Sequence, residues 1–433
     1  MGSFRFLTAG ESHGRMLGVT LEGVPAGLTL TADAIAVDLA RRQRGYGRGA
    51  RQAIERDRAE IVSGVRHGTT LGSPILLLIA NRDWENWTRV MQVEPLGDEV
   101  AAELAALAEE GNKRATPVTR VRPGHADLAG ALKYGFSDVR NVLERASARE
   151  TAARVAAGAV ARAFLAEFGI DVWSFTAEVG GVAVDPAECT RSREDADASP
   201  LRCPDPGAEE RMIARIDEAR SNGDTVGGVF EVVAHGLPIG IGSYVHWDRR
   251  LDAALAAAVM SINIVKGVEF GLGFEQTRRF GSAVHDVIEG RGDSGRWVHR
   301  TNNAGGLTGG ITNGEPLVVR GAVKPISTLA RPLPSADLIT GEAVEKAHYE
   351  RSDISVVPAA GVVGEAMVLV TLMDAVLAKF GGDSLAETRD NLDRYRERIA
   401  QPVAAPRIGA VAVGIPAHGG ATGTDVAGSG GDD

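Results

Sequence analysis

The chain has 433 residues, of which 44% are hydrophobic and 24% charged, and its formal net charge is −10. This composition is typical of a globular protein that buries a sizeable core. General nucleic-acid binding needs an extended basic face, which an acidic chain does not supply. We therefore expect no nucleic-acid partner, and any anion site must come from local clusters of arginine.

Metal sites, disulfides and membrane segments are also poorly supported. Cys189 and Cys203 are the only cysteines, too few for a disulfide framework or a zinc cluster, and no His-Glu-x-x-His or Cys-x-x-Cys motif occurs. The N-terminal residues lack the apolar region of a secretory signal peptide. Charged residues interrupt the long apolar stretch 356–380, which indicates a buried helix rather than a membrane span. We expect a cytoplasmic protein with no membrane partner and no bound metal.

In the N-terminal half, two helices and a strand are predicted. Apolar residues at helical spacing predict a helix over 31–44 with Thr31 as its N-cap. A run of aliphatic residues bounded by proline and asparagine predicts a strand over 74–80. Ser147 and Glu150 have the spacing of a capping box, which predicts a helix over 147–168 that ends at Gly169.

In the C-terminal half, strands are predicted over 226–234 and 316–323. Asp248 is the expected N-cap of a helix that closes at Gly267. The segment 362–380 is apolar on nearly all sides, which predicts a helix inside the core.

Two segments have compositions typical of less ordered chain. Residues 185–210 are rich in Asp, Glu, Pro and Ser, which predicts a surface excursion. We expect one catalytic domain over 1–400 and a disordered Gly/Ala-rich tail over 401–433.

Several glycine-rich segments also carry arginine or histidine. His13 lies in a segment with glycines at 10 and 14, so little side-chain bulk surrounds it. The segment 41–51 holds five arginines and three glycines, and guanidinium groups bind phosphate and carboxylate in bidentate fashion. A Pro-Gly turn presents Arg122 and His125 together. Asp353 precedes the apolar helix, where a carboxylate can accept a proton.

Together these segments predict a cationic site that suits a multiply anionic substrate and a phosphate-bearing cofactor. No Walker P-loop or complete Rossmann fingerprint is present. Each segment alone also permits a structural role: a hydrogen-bonded core histidine for His13, a solvated helix end for 41–51, and a long turn for the glycine-rich run 302–313. The residues by themselves do not identify the substrate.

The same segments, in the same order, resemble the chorismate synthase family. The resemblance covers about residues 4–390 and is carried by 10–14 (GESHG), 44–49 (RGYGRG), 122–127 (RPGHAD), 144–150 (ERASARE), 305–310 (GGLTGG), 324–328 (KPIST), 351–353 (RSD), 357–361 (VPAAG) and 379–383 (KFGGD). It implies an α+β fold, a β-α-β sandwich with two antiparallel sheets around a helical core, assembled as a homotetramer.

The resemblance also implies a carbon–oxygen lyase of the shikimate pathway to the aromatic amino acids. The expected reaction is the anti 1,4-elimination of phosphate from 5-enolpyruvylshikimate-3-phosphate to give chorismate. It requires reduced FMN but involves no net redox change. We see no additional reductase segment, so we expect an external flavin reductase, with NADPH as an indirect reductant.

Site residues follow from the same resemblance. His13 is the implied general acid on the departing phosphate, His125 stabilises the reduced flavin near N1, and Asp353 works with flavin N5 to remove the C6 proton. The implied substrate ligands are Arg42, Arg48, Arg51, Arg122 and Arg149, of which the first two also match NADP positions. The implied FMN pocket comprises Arg145, Ala146, Ser147, Asn263, Ile264, Gly309, Lys324, Pro325, Ile326, Ser327, Thr328 and Arg351. At 263–264 the family often has Gln-Ala, so this contact departs from its pattern.

Two other functions fit parts of the pattern. An FMN- and NADPH-dependent reductase on the same fold would bind NADPH at Arg42 and Arg48 and oxidise it in step with product. A non-enzymatic anion-binding protein would bind the substrate and release nothing. The joint presence of His13, His125 and Asp353 argues against the second.

Overall fold

A computed structural model describes residues 4–48, 57–186, 188–292, 295–350 and 353–403. Two predicted site residues, Arg51 and Arg351, and most of the predicted tail, 404–433, lie outside the described residues.

Helices and strands occur in mixed order along the described chain. The helices are α1 (Ala32–Gln43), α2 (Asp98–Glu109), α3 (Asp127–Tyr134), α4 (Arg140–Leu143), α5 (Thr151–Ala166), α6 (Arg193–Ala198), α7 (Pro206–Ser221), α8 (Leu251–Met260), α9 (Val357–Phe380) and α10 (Leu385–Ala400). The strands are β1 (Arg5–Ala9), β2 (Met16–Glu22), β3 (Ala59–Ile61), β4 (Val65–Arg66), β5 (Thr69–Thr70), β6 (Ile75–Ala80), β7 (Asp171–Val179), β8 (Val182–Ala183), β9 (Gly228–His235), β10 (Val265–Phe270), β11 (Ile288–Arg291), β12 (Trp297–His299), β13 (Leu307–Thr308), β14 (Ile311–Thr312), β15 (Leu317–Val323), β16 (Ser335–Ala336) and β17 (Ala343–Val344).

Two antiparallel sheets flank the helical core of the fold. The first has the strand order β1-β2-β6-β3 and the second the order β10-β15-β9-β7-β8. In β6 the buried side chains alternate with more exposed ones, as expected for a strand with one face on a core. The predicted α+β class with two antiparallel sheets is confirmed.

Helices fill the space between the sheets. Helix α5 packs against β2 and β6 of the first sheet, α9 packs against β7 and β9 of the second, and α5 and α9 pack on each other. Among the described helices only α9 is long and apolar enough to cross a membrane, yet 83% of its most apolar window is buried inside the protein. The predicted core helix is thus confirmed, and it begins at Val357 instead of 362.

Other sequence predictions are confirmed with small shifts of their ends. Helix α1 begins after Thr31, whose hydroxyl accepts a hydrogen bond from the Ala34 N–H at 3.2 Å. The three predicted strands correspond to β6, β9 and β15.

Two predicted helix caps are wrong. Ser147 accepts from the Arg149 N–H, but Glu150 does not complete a capping box, because its carboxylate binds Thr8 and Arg154. Asp248 bonds to His246, and the helix begins three residues later with Arg250 as its N-cap. That helix ends at Met260, so Gly267 lies in β10 and does not close it.

The predicted surface excursion over 185–210 is also wrong in part. The segment contains α6 and the start of α7, and several of its side chains are buried, including Leu201, Arg202, Cys203 and Asp205. Arg202 is tied to the rest of the protein, since its guanidinium donates to the Ser174 carbonyl at 2.6 Å.

Candidate active site

A cavity of about 780 Å³ opens where the loops at the ends of α1, α5, α8, β15 and α9 converge. Its size is in the range of small-molecule and cofactor sites. The predicted site residues that line it are His13, Arg42, Arg48, Arg122, His125, Ala146, Ser147, Arg149, Asn263, Ile264, Lys324, Ile326, Ser327, Thr328 and Asp353.

Three predicted cofactor residues are not on the wall of this cavity: Arg145, Gly309 and Pro325. The Arg145 guanidinium donates instead to the carbonyls of Thr8 and Gly10, both at 3.1 Å. Gly309 lies between β13 and β14 with a φ of +63°, a conformation that favours glycine. Its hairpin borders a second cavity of about 490 Å³.

His13 is held in the turn between β1 and β2 and is only 7% exposed. Its Nδ1 lies 2.9 and 3.0 Å from the two carboxylate oxygens of Glu144. Its backbone N–H donates to the same carboxylate at 2.8 Å. The imidazole stacks on the Trp87 indole with 4.0 Å between ring centroids and 23° between planes. Both the backbone and the ring of His13 are therefore fixed.

Arg122 and His125 share the buried carboxylate of Asp127. Arg122 Nε donates to Asp127 at 2.8 Å, His125 Nδ1 bonds to the other oxygen, and Arg122 Nη2 lies 3.1 Å from His125 Nδ1. Burial alone would raise the pKa of Asp127, but hydrogen bonds and charges from His125 and Arg122 hold it well below its usual range. The predicted Pro-Gly turn thus presents these two side chains together.

Asp57 joins two of the cavity arginines. Arg149 Nη1 donates to one of its oxygens at 2.5 Å, and Arg42 Nη1 to the other at 3.3 Å. Arg42 also donates to Thr151 Oγ1 at 3.0 Å. On the opposite side, Arg48 Nη1 lies 3.3 Å from Asp353 Oδ2. Anchored guanidinium groups lose little side-chain freedom when an anion binds.

One wall of the cavity is apolar and close to polar groups. Lys324 Nζ donates to the Gly124 carbonyl, and Asn263 Nδ2 donates to the Ala146 carbonyl at 2.9 Å. Burial and the neighbouring charge of Lys266 lower the pKa of Lys324. The apolar side chains on this wall are Leu143, Ile262, Ile264, Ile326, Val356, Ala359, Ala360 and Val363.

Apart from Asp353, the carboxylates that hold these cations were not assigned roles from the sequence. Glu144 and Asp127 lie inside recognised motifs, so their positions were visible, but their partners were not. Asp57 precedes β3 and pairs with Arg149, 92 positions away. Trp87, which covers His13, lies outside every recognised motif. These pairings depend on the fold.

Glu350 adds a carboxylate to the cavity wall. It lies 3.4 Å from His348 Nε2 and 3.9 Å from Arg122 Nη1. Burial would raise its pKa, but the hydrogen bond from His348 and the charges of Arg122, His348 and His13 outweigh it and lower the pKa to about 2.

This shift predicts how Glu350 affects stability at different pH. A carboxylate with a lowered folded-state pKa stabilises the fold above its unfolded pKa, and that stabilisation is lost as the pH falls through the folded value. We expect Glu350→Gln to be less stable than the parent protein at neutral pH, with a difference that shrinks between pH 4.5 and about 2. Urea unfolding of both proteins across this range measures it. A difference that stays constant over that window would contradict the prediction.

Comparison with known proteins agrees with the sequence motifs. The family model described as chorismate synthase matches residues 4–377. A chorismate synthase of Geobacter sulfurreducens is 55% identical over 403 residues, covering 91% of this chain and 99% of that protein. The chain belongs to the chorismate synthase family. A relative from Bacillus cereus, chorismate synthase 1, is also 55% identical, over 91% of this chain and 98% of its own length.

The fold of this family is seen in a solved structure as well. A crystal structure of chorismate synthase matches the chain with a TM-score of 0.71 and 42% sequence identity, covering 92% of this chain and 98% of its own. The family assignment makes the chain a lyase of the shikimate pathway, with a small molecule as its substrate.

Proposed function

We propose that the 780 Å³ cavity is where 5-enolpyruvylshikimate-3-phosphate loses phosphate by anti 1,4-elimination to give chorismate. The main observation behind this proposal is that His13, Asp353 and four arginines line one cavity beside an apolar wall. An elimination needs a proton donor at the leaving group and a proton acceptor at the carbon that loses hydrogen, and the cavity holds both kinds of side chain.

Four arginines bind a substrate with three anionic groups, one phosphate and two carboxylates. Arg42 and Arg149 are bridged by Asp57, Arg122 is anchored by Asp127, and Arg48 pairs with Asp353. Guanidinium groups held in this way present their remaining donors in a fixed geometry. Arg51 stays a proposed substrate ligand outside the described residues.

The proton steps are assigned to His13 and Asp353. As the C3–O bond breaks, His13 transfers a proton to the departing phosphate oxygen. Asp353 accepts the hydrogen lost from C6 as a proton. The electron pair of that C–H bond forms a double bond between C6 and C1, the ring double bond shifts from C1–C2 to C2–C3, and the C3–O electron pair leaves with the phosphate. A positioned general acid of this kind contributes about 10²–10⁴ in rate.

The cavity residues fit reduced FMN. The apolar wall suits a planar ring system, while Lys324 and the hydroxyl groups of Ser147, Ser327 and Thr328 suit its phosphate. The proposed contacts further include Ala146, Asn263, Ile264 and Ile326, with His125 as the partner of the reduced ring. When bound, reduced FMN supplies electron density to the elimination and recovers it, so no net redox change occurs.

Arg145, Gly309 and Pro325 also remain proposed FMN ligands, although they do not line the described cavity. Arg351 remains a proposed FMN ligand outside the described residues. We further propose that the protein is a cytoplasmic homotetramer that depends on an external flavin reductase, with NADPH as an indirect reductant. One catalytic domain is proposed over 1–400, and α10, the last helix of the described residues, ends at Ala400, which supports that boundary.

The test is anaerobic phosphate release from 5-enolpyruvylshikimate-3-phosphate with dithionite-reduced FMN. We expect chorismate and phosphate to appear together, only with reduced flavin, and expect His13→Ala to lower kcat by at least about a hundredfold. Binding of flavin and substrate without release of phosphate would overturn the proposed function.

A parallel assay separates the reductase alternative. The pure protein with oxidised FMN and NADPH is followed at 340 nm, with and without substrate. We expect no sustained NADPH oxidation. Oxidation of NADPH in step with product would instead favour an FMN-dependent reductase that binds NADPH at Arg42 and Arg48.

A further inference from the structure

We infer that Glu144 and Trp87 are positioning residues for His13: Glu144 selects the ring nitrogen that exchanges protons with the substrate, and Trp87 fixes the plane of the ring. This inference rests on the proposed role of His13 as the general acid. It is carried by the contacts that the two side chains make with His13, and neither residue was assigned a role from the sequence.

Glu144 holds His13 at two points. It is 2% exposed, and its carboxylate accepts the His13 backbone N–H at 2.8 Å and lies 2.9 Å from Nδ1. Its own backbone carbonyl accepts the Ser12 N–H at 3.1 Å. A single residue therefore fixes the chain before His13, the backbone at His13 and the imidazole itself.

These contacts determine the tautomer. An ionised carboxylate only accepts hydrogen bonds, so the nitrogen facing Glu144 must carry the hydrogen. Nδ1–H therefore stays bound to Glu144 in both protonation states of the ring, and Nε2 is the atom that gives its proton to the departing phosphate oxygen. Arg140 Nη1 lies 3.9 Å from the same Glu144 carboxylate.

Trp87 restrains the ring from its face. The two rings are 4.0 Å apart at their centroids, and Trp87 itself is 7% exposed. Its indole N–H donates to Asp83 at 2.7 Å, and the guanidinium groups of Arg114 and Arg140 lie 5.5 and 5.4 Å from its centroid. Because the indole is itself anchored, the imidazole cannot rotate out of its plane without displacing a packed side chain.

The main test is Glu144→Gln, compared with Glu150→Gln. Glu150 is a matched control, since it is a buried carboxylate six residues further on that binds Thr8 and Arg154 and does not line the cavity. We expect Glu144→Gln to lower kcat by about 10²–10⁴ with KM changed less than about threefold, as when a carboxylate that orients a catalytic histidine is neutralised. Glu150→Gln should keep kcat within about threefold.

A second readout does not need turnover. Solid-state ¹⁵N NMR of histidine-labelled protein reports which ring nitrogen carries hydrogen, and His13→Asn assigns the His13 signals among the nine histidines. In substrate-free protein we expect a protonated Nδ1 for His13 in the parent and in Glu150→Gln, and a mixture of tautomers in Glu144→Gln. If the parent protein released no phosphate, the proposed function would fail, but the tautomer of His13 in these spectra would still test the role of Glu144.

Two outcomes overturn the inference. One is a Glu144→Gln variant whose kcat stays within about threefold of the parent. The other is an unchanged His13 spectrum in that variant together with equal losses of kcat in the Glu144 and Glu150 variants.

If Glu144→Gln does not fold, Trp87→Leu is compared with Trp87→Phe. Loss of the stacked ring in Trp87→Leu should lower kcat at least about tenfold at constant KM, and phenylalanine should restore most of that activity. Equal kcat values for these two variants would also overturn it.

Discussion

Glu365→Gln is expected to lower the free energy of unfolding by about 3–5 kcal/mol, the cost of removing one partner from a buried ion pair. Glu365 lies in α9 with no exposed surface. Arg41 donates to both of its oxygens at 2.7 and 2.8 Å, and Arg162 donates at 2.5 Å. The Arg202 guanidinium and the Ser174 hydroxyl donate to the same carboxylate at 3.3 and 2.6 Å. Glutamine would leave the guanidinium groups buried without their central anion.

Urea unfolding at neutral pH measures this loss, and Glu275→Gln is the control. Glu275 is an exposed carboxylate paired with Arg278 and Arg279, and exposed pairs contribute about 0–1 kcal/mol. A loss below about 1 kcal/mol in Glu365→Gln would contradict the prediction.

Acid pH gives a second check on Glu365. Burial would raise its pKa, but the charges of Arg41, Arg162 and Arg202 lower it from 4.5 to about 2. Its stabilisation is therefore present above pH 4.5 and lost as the pH falls towards about 2. The parent protein should lose its advantage over the glutamine variant in that window.

Gly158→Val is expected to prevent stable folding, and Gly158→Ala to destabilise the protein by about 1–3 kcal/mol. Gly158 lies in α5 where that helix crosses α9. A Cβ atom at this position would lie 2.4 Å from the Ala366 Cβ and 2.5 Å from its Cα. In an unobstructed helix, alanine would instead be more favourable than glycine by about 0.5–1 kcal/mol. Whether Gly158→Ala stabilises or destabilises the protein therefore shows whether α5 and α9 are in close contact at this position.

Thermal and urea unfolding of Gly158→Ala test this expectation, with Gly207→Ala as the control because Gly207 lies inside α7 and the nearest side-chain atoms would lie 3.5 Å from a Cβ there. Combining Gly158→Ala with Ala366→Gly should restore only part of the stability, since the Ala366 Cα would remain too close. A Gly158→Ala protein as stable as the parent would show that the helices move apart without cost.

The sequence predicted the elements whose signals are local. Helix α1, helix α9 and strand β6 follow from periodicity, flanking breakers and one capping hydroxyl. The failures occurred where a cap candidate has a stronger distant partner: Glu150 binds Thr8 across 142 positions. Polar composition over 185–210 was misleading because Arg202 is buried against Glu365, and sequence does not show that pairing.

The candidate site also contains some residues that were predictable from the sequence and some that were not. Family motifs supplied the arginines and the proposed acid–base groups, and the fold brings fifteen of the predicted residues to one cavity. The groups that orient them were not predictable, because Glu144 meets His13 across 131 positions and Asp57 meets Arg149 across 92. Such contacts require the two sheets and the helices between them to be assembled first.

The charges around Glu365 also constrain how this chain can diverge. Arg41, Arg162 and Arg202 share one acceptor, and Asp38 bonds to the first two. Any lineage that replaced only Glu365 or only Asp38 would pass through a protein with an uncompensated interior charge. Coupled positions of this kind change together or remain fixed. Three helices and the 185–210 segment should therefore drift in sequence as one unit, while the exposed faces around them vary independently.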